Sequence, residues 1–201
     1  MSKEDRVLTG ITTTGVPHLG NLVGAVLPAI KASEQKNTLS FLFLADYHSL
    51  IKNSDSNLRH QSSFDIAACW LACGLDPKKI IFYRQSDIPH IFELAWILSC
   101  LASKGLLNRA HAYKSATSDN KAKKTQDIDK GINMGLFNYP VLMAADILMF
   151  KADYVPVGQD QKQHIEMARD IALKFNHRYG DILTPPEAII DQNSGILPGI
   201  D

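Results

Sequence analysis

The 201-residue sequence has no excess charge of either sign, because 21 Lys and Arg residues balance 21 Asp and Glu residues. This balance excludes a chain that is basic over its whole surface, although it leaves room for a local nucleic-acid-binding patch. Apolar runs are short, and none approaches the roughly 18 residues of a membrane-spanning helix. The N-terminal residues MSKEDRV lack the apolar core of a signal peptide. We therefore expect a cytoplasmic protein without a membrane segment.

Cysteine is scarce as well, with three residues at Cys69, Cys73 and Cys100. Their number and spacing predict neither a disulfide framework nor a metal site. Cys69 and Cys73 are four residues apart and would share one face of a helix. We expect reduced, buried thiols and no protein-bound metal.

Segments typical of strands and helices alternate along the first half of the chain. The predicted strands are residues 6–10, 40–46 and 79–85, and the predicted helices are residues 17–32, 58–73 and 91–104. Pro17 is expected near the start of the first helix, and Gly105 is expected to stop the last one. Such alternation predicts an α/β fold with a parallel sheet. Ligands of such sheets bind beyond the carboxyl ends of the strands, here at residues 10–20, 46–49 and 85–87.

The second half of the chain is mainly helical in its pattern. Residues 115–130 are polar and charged without apolar periodicity, which predicts a mobile surface loop. A helix is predicted for residues 138–150, with Asn138 as its cap and Pro140 in its first turn. The tail, residues 184–201, is rich in Pro and Gly and is predicted to be mostly loop.

The stretch TGITTTGVPHLGN, residues 9–21, joins the first predicted strand to the first predicted helix. A glycine-containing loop before a helix N-terminus is a natural anion site, since free backbone N–H groups and the helix dipole point at it. His18 and Asn21 share a helix face, and Gly20 leaves room for a flat group near the backbone. The pattern is neither a Walker loop nor GxGxxG, so a simple glycine-rich turn is the alternative.

A single carboxylate, Asp146, interrupts the otherwise apolar run of residues 141–150. A helix that is apolar on every side is buried, and a buried carboxylate needs a hydrogen-bond donor. One alternative is a structural partner, such as a tyrosine hydroxyl, an arginine or a backbone N–H. The other is the ring N–H of a ligand, for which Met143, one turn earlier, offers an apolar wall.

A third candidate segment is VPVGQDQKQHIEMARDIALKFN, residues 155–176. Gly158 ends an extended piece and Asp160 opens a helix. An acidic side chain in such a turn either binds ribose hydroxyls or caps the helix, and both alternatives stay open. Gln161 and His164 share a face near the start of this helix.

PHLGN at residues 17–21, YPVLMAADIL at residues 139–148 and the segment at residues 155–176 together resemble the tryptophanyl-tRNA synthetases, a family of class I aminoacyl-tRNA synthetases. The resemblance covers residues 7–201. The segments GITTTG, FLADYHSL, FYRQSDIP and KGLLNRAHAYK are similar to a bacterial branch of this family. The resemblance implies a Rossmann-like, doubly wound parallel sheet with a largely helical insertion.

The resemblance also implies how the chain is divided. Residues 1–105 would form the first part of a Rossmann-like domain for ATP and tryptophan, residues 106–180 the helical insertion, with the mobile loop at residues 115–130, and residues 181–201 the return toward the first domain. The lysine-rich KMSKS signature of the class is not present, and LPGID at residues 197–201 resembles the segment before it. We expect an N-terminal catalytic part, without the anticodon-binding domain, that binds tryptophan weakly and activates it poorly.

The resemblance implies one group of residues for ATP. His18 and Asn21 would act near the phosphates as catalytic residues, Gly20 would lie under the adenine, and Gly158 and Asp160 would meet the ribose. The full group is Thr12, Thr13, Thr14, Gly15, His18, Gly20, Asn21, Lys114, Gly158 and Asp160. In this loop the chain departs from the family's GxQPTG pattern, because three threonines occupy it. Which side chain replaces the usual glutamine stays open.

A second group of residues is implied for tryptophan. Asp146 would accept the indole N–H, Met143 and Val157 would flank the ring, and Tyr139 and Gln161 would hold the α-ammonium. The full group is Leu8, His48, Tyr139, Met143, Asp146, Val157 and Gln161.

The implied activity is that of a tryptophan–tRNA ligase. The tryptophan carboxylate would attack the α-phosphate of ATP, which carries Mg²⁺, and the adenylate would then acylate tRNA(Trp). Positioning and charge stabilisation would carry the phosphoryl step without an enzyme nucleophile. The family resemblance also implies a homodimer built through residues 108–175.

Three alternatives stay open. A tyrosyl-tRNA synthetase shares the fold and can place an Asp in the pocket, although VGQDQKQHIE resembles the tryptophanyl type. A non-catalytic binding protein derived from a synthetase would keep the fold. Another adenylyl-transferring enzyme of the same broad fold would not need the helix that carries Asp146.

Overall fold

The computed structural model describes residues 4–52 and 54–190, and the chain divides into two compact units. The first unit comprises the described residues of Met1–Ile88, Ala152–Lys162 and Glu187–Asp201. The second unit comprises Pro89–Lys151 and Gln163–Pro186.

A parallel sheet of five strands forms the centre of the first unit. Its strands are β1 (Asp5–Thr12), β2 (Thr38–Ala45), β3 (Ile81–Arg84), β4 (Tyr154–Val157) and β5 (Glu187–Ile190). Their order across the sheet is β3-β2-β1-β4-β5, so the chain extends the sheet on both sides of β1. This arrangement confirms the predicted α/β fold with a doubly wound, Rossmann-like parallel sheet.

The prediction that the tail is mostly loop was wrong where β5 pairs with β4, for example Ala188 with Val155. β5 has four residues that alternate between exposed and half-buried, whereas β2 has eight residues and is mostly buried, so β5 gives a weaker strand pattern. The segment LPGID lies outside the described residues.

Helices cover the strands of the first unit and bury a shared apolar core. The buried residues of this core are Ile11, Val26, Ala29, Leu42, Leu44, Ile66, Trp70, Leu75 and Ile80. The helices are α1 (Leu19–Asn21), a π-helical turn (Leu22–Val26), α2 (Leu27–Ser33), α3 (Asp46–Ser49) and α4 (Ser56–Ala72). Pro17 lies near the start of the first helix, as expected, but just before it, because His18 is the N-cap and the helix begins at Leu19.

The second unit is helical. Its helices are α5 (His90–Ser99), α6 (Lys104–Leu107), α7 (His111–Ala122), α8 (Met134–Met149) and, apart from its first residue, α9 (Lys162–Tyr179). α5 packs against α8. Gly105 does not stop a helix as predicted, because α5 ends at Ser99 and Gly105 lies inside α6.

The loop predicted at residues 115–130 is only partly present, because α7 extends to Ala122. The turns that follow are fixed by side chains rather than by apolar packing. The amide of Asn120 donates hydrogen bonds to the carbonyls of Ile128 (2.8 Å) and Lys130 (2.9 Å). A polar surface helix held in this way has no apolar stripe that a sequence pattern could reveal.

The helix predicted for residues 138–150 begins earlier, at Met134. Asn133, not Asn138, caps it, because its side-chain oxygen accepts the Leu136 N–H at 2.8 Å. Pro140 therefore lies inside the helix, where it removes one backbone donor. In the described part of the chain, no helix is both long and apolar enough to cross a membrane.

Gly10 is a position where the sheet has no room for a side chain. A Cβ atom added there would lie 2.5 Å from the ring of Phe43, which is buried on β2 and stacked on Tyr83. We expect Gly10→Ala to lower the free energy of unfolding by about 1–3 kcal/mol, because the ring is held on its other side. Urea denaturation measures this change.

Gly105→Ala is the matched control, since nothing lies within 4 Å of a Cβ atom added at that helical position. We expect it to be neutral or to stabilise by up to about 1 kcal/mol. Equal unfolding free energies for the Gly10→Ala variant and the unchanged protein would contradict the close contact with Phe43.

Candidate functional site

The end of β1 and the loop that follows it carry the three threonines predicted to bind a nucleotide. Leu8, on β1, is buried in the sheet. Of the threonines, Thr12 and Thr14 are exposed, whereas Thr13 is fully buried. The hydroxyl of Thr13 has no hydrogen-bond partner among the residues that the structure describes. The loop therefore presents alternate hydroxyls to solvent at the carboxyl end of β1.

His18, Gly20 and Asn21 are brought together at the start of α1. The Nδ1 atom of His18 accepts the Gly20 N–H at 3.1 Å, and the side-chain oxygen of Asn21 accepts the His18 N–H at 3.1 Å. This reciprocal pair is a capping box. Because Nδ1 accepts, a neutral His18 ring carries its proton on Nε2 and offers a donor there.

Gly20 lies directly against the His18 ring. A Cβ atom added at Gly20 would come within 3.0 Å of two ring atoms of His18. Gly15 is half-buried in the preceding loop. The small residue at position 20 therefore keeps both the ring and the exposed backbone of this turn in place.

The turn after β4 gathers a second group of predicted residues. Val157 ends β4, and Gly158 leads into a 3-10 turn, Gln159–Gln161, which runs directly into α9. The side-chain amide of Gln161 donates to the Asp160 carboxylate at 2.8 Å. A side chain at position 158 would displace that carboxylate, because its Cβ atom would lie 2.7 Å from Asp160 Oδ1. The Asp160 carboxylate is exposed and points away from the core.

His48 lies in α3, directly after β2, and is half-buried. The neighbouring Tyr47 N–H donates to the side chain of Gln85 at 3.1 Å, and Gln85 is fully buried. A buried amide therefore joins the ends of β2 and β3 and fixes the turn that carries His48.

In the second unit, α8 carries three predicted residues on one face. Tyr139, Met143 and Asp146 follow at spacings of four and three residues, which places them above one another along the helix. Asp146 has 1% of its surface exposed, whereas Tyr139 and Met143 are half-buried. The face therefore offers a phenol, a thioether and a carboxylate in sequence.

Tyr139 forms a hydrogen bond with Nε2 of His164, a residue on α9. The two rings meet edge to face, with centroids 5.0 Å apart. His164 is buried, with 2% of its surface exposed. It is not among the site residues predicted from the sequence. The sequence signal is that His164 shares a helix face with Gln161 near the start of this helix.

Lys114 lies on α7 and is exposed, before the turns at residues 123–130. Its neighbour Tyr113 donates a hydrogen bond to Asp129 at 2.7 Å, which raises the pKa of the tyrosine. Lys114 is therefore on a helix whose following turns are pinned by side-chain bonds.

A separate pocket of about 320 Å³ opens at the ends of β2 and β3 in the first unit. Its lining residues are Asp46, Tyr47, Leu50, Ser56, Arg59, His60, Ser63, Arg84 and Ser86. The hydrogen bond that the Arg84 guanidinium donates to the Asp87 carboxylate raises the pKa of Arg84. The Nε atom of Arg84 also lies 4.0 Å from the Asp46 carboxylate. Within the described residues, the residues predicted for ATP or tryptophan do not line this pocket.

Over residues 4–52 and 54–190, no group of three or more His, Cys, Asp or Glu side chains is arranged to hold a metal ion. Cys69 and Cys73 are half-buried, and burial together with contact between the two thiols raises the pKa of Cys69.

Comparison with known proteins places this geometry in a family. The model of the family "tRNA synthetases class I (W and Y)" matches residues 2–201. The tryptophan–tRNA ligase of Neisseria meningitidis is 59% identical over 201 residues, which are 100% of this chain and 60% of that protein. The tryptophan–tRNA ligase of Pseudomonas putida is 61% identical over 199 residues, which are 98% of this chain and 44% of that protein. The chain thus spans about half the length of these relatives.

Solved structures of tRNA synthetases resemble this chain in fold. The tryptophanyl-tRNA synthetase of Campylobacter jejuni, solved with ADP and tryptophan, has a TM-score of 0.84 and 44% identity, covering 96% of this chain and 57% of that chain. The tyrosyl-tRNA synthetase of Aeropyrum pernix has a TM-score of 0.71 at 20% identity, which shows a shared fold alone. With a matching family model, a shared fold and the loop and helix motifs in place, the chain belongs to the class I tRNA synthetases of the tryptophan and tyrosine family.

Proposed function

We propose that this chain forms the amino-acid-activating part of a tryptophan–tRNA ligase in the cytoplasm. The observation that carries the proposal is the face of α8, where a carboxylate with 1% exposure follows a thioether on an apolar helix. Such a face suits a flat apolar ring with one N–H group. The names and identities of the relatives support tryptophan as that ligand.

The tryptophan side chain would be recognised by few groups. Asp146 accepts the indole N–H, and Met143 and Val157 flank the ring. Tyr139 and Gln161 hold the α-ammonium. Leu8 and His48 complete the group of tryptophan-binding residues. Phenylalanine has no donor for Asp146 and is penalised for that reason. Tyrosine is penalised because its smaller ring would have to bring the hydroxyl to the place of the indole N–H.

ATP would bind at the turn between β1 and α1. The Nε2 donor of His18 and the amide of Asn21 serve the phosphates, and Gly20 lies under the adenine. Gly158 and Asp160 meet the ribose. The remaining contacts come from Thr12, Thr13, Thr14, Gly15 and Lys114. Mg²⁺ enters with ATP as part of the substrate.

The reaction needs no covalent enzyme intermediate. The tryptophan carboxylate attacks the α-phosphorus, the bond to pyrophosphate breaks, and tryptophanyl adenylate forms. In the second step a hydroxyl of the terminal ribose of tRNA(Trp) attacks the acyl carbon of the adenylate, the bond to AMP breaks, and AMP leaves. The chain contributes by holding the two reactants in line and by donating hydrogen bonds to the phosphate oxygens.

Replacing Asp146 by Asn tests the ring assignment. The substitution keeps the shape but removes the charge, so we expect L-tryptophan affinity to fall about 10- to 100-fold. Calorimetric titration of the chain with L-tryptophan and L-tyrosine measures the effect. Asp170→Asn, at an exposed position of α9, is the control and should leave the affinity unchanged. Unchanged affinity for tryptophan in the Asp146→Asn variant, or a preference for tyrosine, would contradict the proposal.

Two substitutions at His18 separate helix capping from ATP binding. His18→Ala removes the cap and should lower the unfolding free energy by about 0.5–2 kcal/mol, whereas Asn at the same position can cap and should cost less. We expect both variants to bind ATP at least about tenfold more weakly, because neither keeps the Nε2 donor. If His18→Asn binds ATP as tightly as the unchanged chain, the ring serves the cap alone.

The homodimer is part of the proposal, since the second unit exposes large apolar side chains. Trp96 on α5 has 73% of its surface exposed, and Met134 and Leu173 are also exposed. Met134 and Leu173 fall within residues 108–175, where the family resemblance places the interface, whereas Trp96 lies outside them.

Leu173→Asp should shift the chain toward monomer, because it would bury a charge within the proposed interface at residues 108–175. Light scattering over a range of concentrations measures the mass. Leu71→Asp, at an exposed position of α4 in the first unit, is the matched control and should leave the mass unchanged. A monomeric unchanged chain, or a dimer that tolerates Leu173→Asp, would overturn the assignment of this surface.

A further inference from the structure

His164 is a buried residue of α9. Its Nε2 atom forms a hydrogen bond with the hydroxyl of Tyr139 on α8. The ring planes make an angle of 65°, an edge-to-face arrangement. Tyr139 is half-buried and His164 is not accessible to solvent. His164 is therefore placed to fix the direction of the Tyr139 hydroxyl without touching a ligand itself.

We propose that His164 is a positioning residue that makes Tyr139 a hydrogen-bond acceptor and thereby selects a ligand with an ammonium group beside the ring. The assignment rests on the proposed function, because it concerns the same tryptophan site. It adds a residue that acts through Tyr139 rather than on the substrate.

Tyr139 and His164 share a limited number of protons for hydrogen bonds. A tyrosine hydroxyl has one proton to donate, and a neutral imidazole donates from one nitrogen and accepts at the other. If Nε2 of His164 accepts, the hydroxyl proton of Tyr139 is used in that bond, and its lone pairs face the ligand. An ammonium group has donors only, so it pairs with such an oxygen.

The opposite tautomer would reverse the polarity of the site. If Nε2 of His164 carried the proton, it would donate to Tyr139, and the hydroxyl proton would turn toward the ligand. A donor would then meet the donors of the ammonium group, which is unfavourable. The proton of His164 therefore belongs on Nδ1 in the state that accepts tryptophan.

The arrangement along α8 strengthens this assignment. Tyr139 and Asp146 are seven residues apart, which corresponds to a rise of about 10 Å along the helix. Met143 lies between them on the same face. An acceptor at each end of an apolar wall fits a molecule that has an N–H on its ring and an ammonium group at its other end.

One test reads the tautomer in the ligand-free chain and does not depend on tryptophan binding. We expect the ¹⁵N chemical shifts of His164, assigned by comparison with a His164→Gln sample, to show a protonated Nδ1 and an unprotonated Nε2. A protonated Nε2 would overturn the proposal, whatever the chain binds.

The second test is a double-mutant cycle on ligand affinity. The variants are His164→Leu, Tyr139→Phe and the pair, titrated with L-tryptophan and with indole-3-propionate, which has the ring and carboxylate but no ammonium group. We expect His164→Leu to weaken tryptophan binding about three- to tenfold and to change indole-3-propionate binding less than about twofold. In the Tyr139→Phe background the same substitution should cost less than about twofold, because its effect runs through the hydroxyl.

Two further variants separate positioning from folding. His164→Gln keeps an acceptor near Nε2 and should restore tryptophan binding to within about threefold of the unchanged chain. His177→Leu, at an exposed position of α9, is the control for the loss of an imidazole. Equal losses for both ligands, additive effects in the cycle, or no recovery with Gln would contradict the proposal.

The outcomes distinguish this proposal from the proposed function. If tryptophan binds and Asp146→Asn weakens it but the His164 cycle is additive, the tryptophan site stands and the positioning role fails. If the unchanged chain prefers tyrosine or binds neither ligand, the proposed function fails and the positioning role fails with it.

Discussion

Burial of polar side chains on an apolar helix is the constraint on which the candidate site depends. Asp146 has 1% of its surface exposed, and a carboxylate in such a place costs several kcal/mol unless hydrogen bonds offset the lost hydration. Two contacts hold α8 in place: Asn133 caps its N-terminus, and α5 packs against it. A ligand that meets the buried carboxylate gains a strong, directional contact, and a ligand without an N–H does not.

The first unit imposes a different constraint, because its sheet is parallel and the loops after its strands open at one edge. At the end of β1, glycine at position 10 lets the backbone approach the Phe43 ring, and the capping box of His18 and Asn21 fixes the first turn of α1. At the end of β4, Gly158 leaves space for the Asp160 carboxylate. Small residues and polar caps thus hold the two turns proposed to meet ATP.

The sequence predicted elements well where burial leaves a pattern. β2 is an apolar run that predicts a strand, whereas β5 has four residues that alternate between exposed and half-buried, in a tail whose Pro and Gly content predicts loop. The polar sequence of α7 predicts a loop from residue 115, because the helix has no apolar stripe and the amide of Asn120 holds the turns after it. Pro140 predicts a first helical turn because proline is common there, but the cap at Asn133 begins the helix earlier. The roles of the site residues are predictions from the family resemblance of their motifs, whereas local spacing by itself indicates shared helix faces such as that of His18 and Asn21. The bond between Tyr139 and His164 joins residues 25 positions apart on two helices and has no local signature.

The most direct test of the tryptophan assignment is a crystal structure of this chain with L-tryptophan bound. We expect the indole nitrogen to lie within hydrogen-bonding distance of the Asp146 carboxylate, at about 2.7–3.2 Å, with the ring against Met143. The ammonium group should lie beside the Tyr139 hydroxyl. A tryptophan molecule bound elsewhere, or one whose ring N–H meets a group other than Asp146, would contradict the assignment.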